Sequence, residues 1–404
     1  MMFAALLAAL PVFSQLSLSD AQQRTVANSA SVAQARASVV SRDAALSLAR
    51  NGGVPHLSAD YSLAPQAGQV GDSTVEQHIF TVGANVSVND LLGATAATRA
   101  AAADLIAAQR DADSAVLAAR RKAISLYFAA LQAAAVERVR QEAVEGARQD
   151  LRAADLRSRS GDAPRLDAVR AGVTLAQADA DLARAQADRA NAIDALASAA
   201  NVSSSSLGGI ADGAAPLPSP APIDETHSVA RALALRPEIT SLLATIDART
   251  ADADAARMAG LPTLTALGGY ASGVDSGLPV NGPAATVHLD VPLAPGTGDR
   301  VRAAQAQVSV VRAELVEERR TIALEVAAAV RDERAAESAS VAADRANAEA
   351  QRALAAVDLG YREGASSSLD VSEARRVATQ ASGDALVARY QLAQSRALLE
   401  VLVP

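Results

Sequence analysis

The chain has 404 residues, 50% of them apolar but only 2% aromatic, with no Cys or Trp and a formal charge of −8. Five Tyr and four Phe are too few for several thick globular cores, and an Ala-rich apolar fraction favours long helices packed closely side by side. The acidic balance, with a pI near 5.2, excludes a nucleic-acid surface, and the lack of Cys excludes disulfides, thiolate metal sites and a lipid-bearing N-terminal Cys.

Residues 2–13 (MFAALLAALPVF) form a short apolar run that predicts a signal peptide over 1–14, because it is too short to span a bilayer. No other run reaches the ~18 apolar residues of a spanning helix. Leu18-Ser19-Asp20 starts a helix expected to reach about Gly52. Over 54–64, Leu57, Ala59, Tyr61 and Leu63 alternate with His56, Ser58, Asp60 and Ser62. Over 79–89, Phe80, Val82, Ala84, Val86 and Val88 alternate with Thr81, Gly83, Asn85, Ser87 and Asn89. This period of two predicts strands with one apolar and one polar face. Between about Thr95 and Arg159 there is no Pro and one interior Gly, Gly146, while Leu117, Ile124 and Leu131 recur every seventh residue. A long helix with a coiled-coil-like seam follows. Gly161-Asp162-Ala163-Pro164 breaks it, and a return helix is expected from about Leu166 to Ala200. The Ser/Gly/Pro-rich stretch 201–225 reads as a linker.

Residues 226–402 then repeat the pattern of 15–200. Val54-Pro55 recurs 207 positions later as Leu261-Pro262; Gly161 and Leu166-Asp167 recur 203 positions later as Gly364 and Leu369-Asp370. A four-residue difference therefore falls within the strand region, and a duplication with one such indel means two copies of one structural unit. The second copy has predicted strands over 262–271 (Leu264, Ala266 and Tyr270 on one side) and 284–292. In the latter, Ala285, Val287, Leu289 and Val291 oppose Thr286, His288 and Asp290. Val308, Leu315 and Ile322 repeat the sevenfold spacing, and the hairpin turns near Gly364. Each unit reads helix, strand, strand, long helix, return helix: a mainly α fold with a small β part. A long helix of about 65 residues rises roughly 98 Å, and the two short helices end to end roughly 105 Å, as a cylinder of uniform height requires.

Strands of about ten residues cross a bilayer when tilted, and a spanning sheet must close on itself because unpaired backbone groups are costly in lipid. Barrels need at least about eight strands. One chain offers four, so closure demands an oligomer, and three chains supply twelve. On the strands alone, a soluble sheet with one buried face is the alternative.

In this order and twice over, the motifs resemble the TolC-like family of trimeric outer-membrane efflux and secretion channels, across essentially the whole mature length. The residues that carry the resemblance are the strand starts Val54-Pro55-His56-Leu57 and Leu261-Pro262-Thr263-Leu264, the Arg236-Pro237-Glu238-Ile239 motif, and Tyr361-Arg362-Glu363-Gly364 followed by Leu369-Asp370 and Glu373. The resemblance implies a homotrimer forming a twelve-stranded β-barrel in the outer membrane of a Gram-negative bacterium, continuous with a periplasmic α-helical barrel. It implies a passive exit duct for small toxic solutes or secreted polypeptides, served by a periplasmic adaptor and an inner-membrane pump. A pore-less periplasmic adaptor or helical scaffold is the rival reading, although adaptors carry one helical hairpin and this chain has two.

The resemblance also assigns site residues. Asp370 and Glu373 fall on the acidic ring that narrows the periplasmic mouth; their spacing of three puts both on one helix face, where threefold symmetry would gather six carboxylates and raise some of their pKa values. A first-turn role with the helix dipole is the plain alternative. Tyr361 corresponds to a Tyr that latches the mouth by bonding an Asp, here Asp167. The chain departs from the family at Ser366, where some members have a latch Arg, and at Ser160-Gly161-Asp162, where many have Val-Gly-Leu. Gly161 and Gly364 are expected to end helices in the left-handed conformation and to offer the turns at which an adaptor docks. His56, His78, His227 and His288 show no ligand spacing, and no phosphate loop, nucleophile elbow or dinucleotide fingerprint is present. Neither catalysis nor a cofactor is expected.

Overall fold

A computed structural model describes residues 16–51, 56–66, 75–161, 164–204, 224–275, 278–291 and 296–403. The predicted signal peptide, the Val54-Pro55 strand start and most of the linker lie outside the described residues. The protein is mainly helical, with elements in the order α1 (Leu18–Asn28), α2 (Ala30–Asn51), β1 (His56–Gln66), β2 (Val75–Ser87), α3 (Val88–Ser160), α4 (Arg165–Ala200), α5 (Glu225–Leu235), α6 (Pro237–Met258), β3 (Thr263–Asp275), β4 (Leu278–Asp290), α7 (Thr297–Arg362) and α8 (Ser368–Leu402).

The duplication holds element by element. α1 and α5 each have 11 residues and α2 and α6 each have 22, offset by 207 positions at both ends. The stretch from β1 to the end of β2 spans 56–87 and its counterpart 263–290, 32 residues against 28, so the four-residue indel lies inside the hairpins.

Each copy breaks its first helix where the sequence predicts one continuous helix. Arg236 leaves α5 with φ −64° and ψ 129°, because the ring of Pro237 excludes the α region for the residue before it and suits the first position of the next helix. Ser29, the matching position, adopts φ −72° and ψ 120° without a proline, its hydroxyl 2.8 Å from that of Ser31.

The chain forms two compact units, each drawing matching parts from both copies. One comprises the residues up to Ala33, Ser114–Arg236 and those from Thr321 on; the other comprises Gln34–Asp113 and Pro237–Arg320. In the first, Tyr127 and Phe128 of α3 stack edge to face at 5.6 Å and sit in a core with Ala21, Ile124, Leu131, Leu196 and Tyr390. Ile124, Leu131 and Ile322 of the sevenfold series are buried. In the second, α6 buries Ala244, Ala248, Ala251 and Ala253, small side chains that let helices approach closely. There Asp104 of α3 pairs with Arg42 of α2 at 3.2 Å and Arg249 of α6 at 3.8 Å, and Ser241 donates to Asp111 at 2.6 Å.

The second unit also holds one four-stranded antiparallel sheet in the order β1-β2-β3-β4. The strands are displaced from their predicted bounds: β2 begins four residues earlier and stops at Ser87, with α3 starting at Val88, and β4 runs back through Pro283 and Pro279 to Leu278. Pro removes a ladder donor and is confined to edges; Pro65 lies in β1 and Pro279 and Pro283 in β4, while β2 and β3 have none. Gly83 sits opposite Gly269 where the two copies join. A Cβ on Gly83 would lie 2.7 Å from the Gly268 carbonyl oxygen, and one on Gly269 would lie 2.5 Å from Gly83 Cα, whereas a Cβ on Gly268 would meet nothing within 4 Å. Gly269→Val is therefore expected to force β2 and β3 apart and greatly reduce folded protein in detergent, while Gly268→Val is tolerated; the two yields compared side by side check this.

Among the described residues, no helix is long and apolar enough to cross a membrane.

Candidate functional site

The second hairpin's turn is built by two end-of-helix devices. Gly364 has φ +79° and closes α7 in a Schellman motif: its amide donates to the Tyr361 carbonyl at 3.2 Å and the Ala365 amide donates to the Gly360 carbonyl at 2.7 Å. A Cβ on Gly360 would lie 2.6 Å from Ser366 Oγ, so the turn folds back on a residue with no side chain. Three residues on, Ser367 caps α8 in a capping box. Its Oγ accepts from the Asp370 amide at 3.2 Å, while Asp370 accepts from the Ser367 amide at 2.8 Å and from its hydroxyl at 2.7 Å. Gly161, with φ +85°, ends α3 in the same left-handed region.

Both candidate gate carboxylates are exposed, and each is engaged locally. Hydrogen bonds from the Ser367 hydroxyl and then its amide hold Asp370 below its ordinary pKa. Glu373 accepts two bonds from Arg376, at 2.9 and 2.6 Å, and those bonds depress it in turn. Within one chain the sign is thus opposite to the rise expected from repulsion in a ring, because Ser367 and Arg376 act at hydrogen-bond distance. Arg376 also brings a positive charge beside the pair.

Tyr361 and Asp167 are not joined by a hydrogen bond in the single chain. The Tyr361 ring lies under the guanidinium of Arg157, 4.2 Å from ring centroid to Cζ, a favourable placement over the negative ring face. Asp167, in the first turn of α4, lines a small cleft with Asp150, Arg170, Leu369 and Ser372. An adjoining cleft of about 340 Å³ is lined by residues of α3, α4 and α8, among them Arg140, Asp150, Asp181 and Arg375. Arg375 crosses from α8 to α3, donating to the Gly146 carbonyl at 3.2 Å and to Asp150 at 2.6 Å. Burial pushes the Asp150 carboxyl up; Arg375 opposes this and the charge of Asp358 adds to it.

Asp150, Arg157 and Arg375 were not expected from the sequence. The available signal was Gly146, the interior glycine of a long helix: a Cβ there would lie 2.9 Å from Arg375 Cδ, and a glycine that lowers helix propensity signals close packing. Among the described residues, no group of His and acidic side chains could hold a metal ion.

Known proteins share the family and the fold of this chain. A family model described as outer membrane efflux protein matches residues 21–202 and 229–403, one segment per copy. No curated protein sequence matches the chain. Among solved structures, the outer-membrane channel OprN superimposes with a TM-score of 0.83 at 18% identity, over 96% of this chain and 89% of that one. The Campylobacter jejuni outer-membrane channel CmeC gives 0.80 at 20% identity, over 96% and 85%. The Vibrio cholerae outer-membrane protein VceC gives 0.76 at 18%, over 96% and 94%. At such identities the structures establish the fold, and the family model, matching both copies along most of their length, establishes the lineage: the chain belongs to the outer membrane efflux protein family.

Proposed function

We propose that this outer-membrane protein is the exit duct of an efflux system, built by three copies whose sheets close into a twelve-stranded barrel. One observation carries this reading. The four-stranded sheet bears exposed Leu57, Tyr61, Phe80, Val82, Leu264, Tyr270, Val287 and Leu289 on a single face, as the register Tyr61↔Phe80, Val82↔Tyr270 and Leu264↔Leu289 requires. Among the described residues, its edge strands β1 and β4 each pair on one side only. Large apolar side chains on an exposed face suit lipid, and an edge that would otherwise be costly in lipid suits a second copy. Ser58, Thr81, Asn85, Thr286 and His288 occupy the opposite face by alternation and would line a wet lumen.

Asp370 and Glu373 would form the acidic ring at the periplasmic mouth, with Tyr361 and Asp167 contributing to its latch and the Gly161 and Gly364 turns docking a periplasmic adaptor linked to an inner-membrane pump. Arg376 would halve the net charge that the pair brings to the ring. Extraction and conduction test this reading together. Detergent should release a heat-modifiable trimer that conducts ions in planar bilayers; a protein recovered as a water-soluble monomer would refute the duct. Asp370→Asn with Glu373→Gln is expected to raise single-channel conductance and relieve block by multivalent cations, and unchanged values would remove the ring.

A further inference from the structure

We propose that one face of α7, centred on Val310 and Glu314, is the surface that holds α2 of a second copy through Gln34, Ala37 and Ser41, with the Gln34 amide donating to the Glu314 carboxylate. The proposal rests on the three-copy duct reading and adds to it the side chains by which one copy recognises the next.

The duplication carries the argument. Within the chain, α3 of the first copy lies antiparallel against α6 of the second. Ser241 donates to Asp111 at 2.6 Å, and Arg249, eight residues after Ser241, reaches Asp104, seven before Asp111, at 3.8 Å. On the face of α3 that bears those carboxylates, Ala100, Ala103 and Ala107 are buried. On the face of α6 that bears Ser241, so are Ala244, Ala248 and Ala251. Each position has a counterpart in the other copy, 207 residues away between α2 and α6 and 203 between α3 and α7.

Those counterparts are uncovered. Ala303, Ala306 and Val310 of α7 are exposed where Ala100, Ala103 and Ala107 are buried, and Gln34, Ala37, Ser41 and Ala44 of α2 are exposed where the α6 residues are buried. Elsewhere on these helices the copies agree: Leu46 and Ala253 are both buried, as are Ala108 and Val311. One chain thus contains a complete joint between its copies and two separate halves of a second one. The half on α7 fits the half on α2 of another molecule. Because the two faces differ, the contact is head to tail, the kind that closes a ring when the rotation allows.

The side chains at the open halves are complementary. Neither Gln34 nor Glu314 has a hydrogen bond or ion pair among the described residues, yet they stand where Ser241 and Asp111 bond each other. A donor again faces a carboxylate. Val310, 49% exposed, replaces Ala107, and Val40, 71% exposed, borders the α2 face; taking both out of water favours the contact. Ser to Gln, Asp to Glu and Ala to Val all add length. The joint between molecules is therefore wider than the one inside the chain, and the α3 face is too short to substitute for α7 on α2.

Cross-linking tests this in the full chain, which has no Cys of its own. Gln34→Cys with Glu314→Cys, treated with a short bis-maleimide, is expected to give mostly covalent trimers on a denaturing gel. Gln34→Cys with Arg312→Cys, whose second thiol lies on the far side of α7, should remain single chains. Val310→Arg is expected to lower the trimer fraction several-fold with helical content unchanged, since that side chain is exposed within the chain. The docking is overturned by wild-type trimers in which the 34/314 pair cross-links no better than the 34/312 pair or closes only within one chain. Val310→Arg trimers as abundant as wild type would overturn it as well. A wild type recovered as a water-soluble monomer sinks the duct reading and the docking together; a trimeric wild type without the 34/314 cross-link sinks the docking alone.

Discussion

Glu325→Ala is expected to be strongly destabilising for the first compact unit. Arg236 is almost fully buried, 1% exposed, in the break between α5 and α6, and its guanidinium pairs with Glu325 of α7. Arg121 of α3 pairs with the other oxygen of the same carboxylate, so one Glu holds two arginines. Removing it takes a charged partner from a buried cation, and breaking such a pair costs ~3–5 kcal/mol. Because Glu325 is about one-third exposed and water reaches part of the site, the lower end of that range, about 3 kcal/mol, is expected. Denaturant titration of wild type, Glu325→Ala, Arg236→Met and the double variant measures the coupling. Arg236→Met with Glu325→Ala should recover most of the loss, since the apolar side chain needs no counter-charge. A Glu325→Ala midpoint equal to wild type would show that Arg236 is satisfied elsewhere.

The second large effect separates adjacent residues of β4. Val287 is 69% exposed on the apolar face, and Thr286 occupies the opposite face by alternation. If the apolar face meets lipid, Val287→Arg places a charge in hydrocarbon at a cost of ~2–4 kcal/mol per chain near the midplane. Threefold symmetry repeats that cost in each copy. Thr286→Arg faces the lumen and should insert normally. Outer-membrane fractionation and heat-modifiability of the two variants read this out; equal loss in both, or in neither, would mean that the sheet does not present its apolar side to lipid.

Local chemistry accounts for what was readable without a structure. Period-two alternation pointed to four strands, though not to their ends; the sevenfold series marked seams in which Ile124, Leu131 and Ile322 are buried. Gly161 and Gly364 fell where left-handed residues end α3 and α7. Of the site, the sequence placed Asp370, Glu373 and Tyr361 beside the second turn, but not their partners. Asp370 is held by Ser367 in a capping box, Glu373 by Arg376, and Tyr361 by Arg157.

A side chain's face follows from its own helix or strand, so the duplication, the order of the elements apart from the break in each copy's first helix, the turns and the two-sided character of the sheet were legible in the sequence. The neighbour each face meets depends on segments brought together only by folding, and that was left to tertiary structure. Arg375 finds Asp150, 225 positions away, and Arg121 finds Glu325, 204 away. Gly83 meets Gly269 across the joint between the copies. Long, flexible Arg side chains can satisfy many partners, and only packing selects among them. The same packing gives Gly146, deep inside α3, its use as the passage for Arg375.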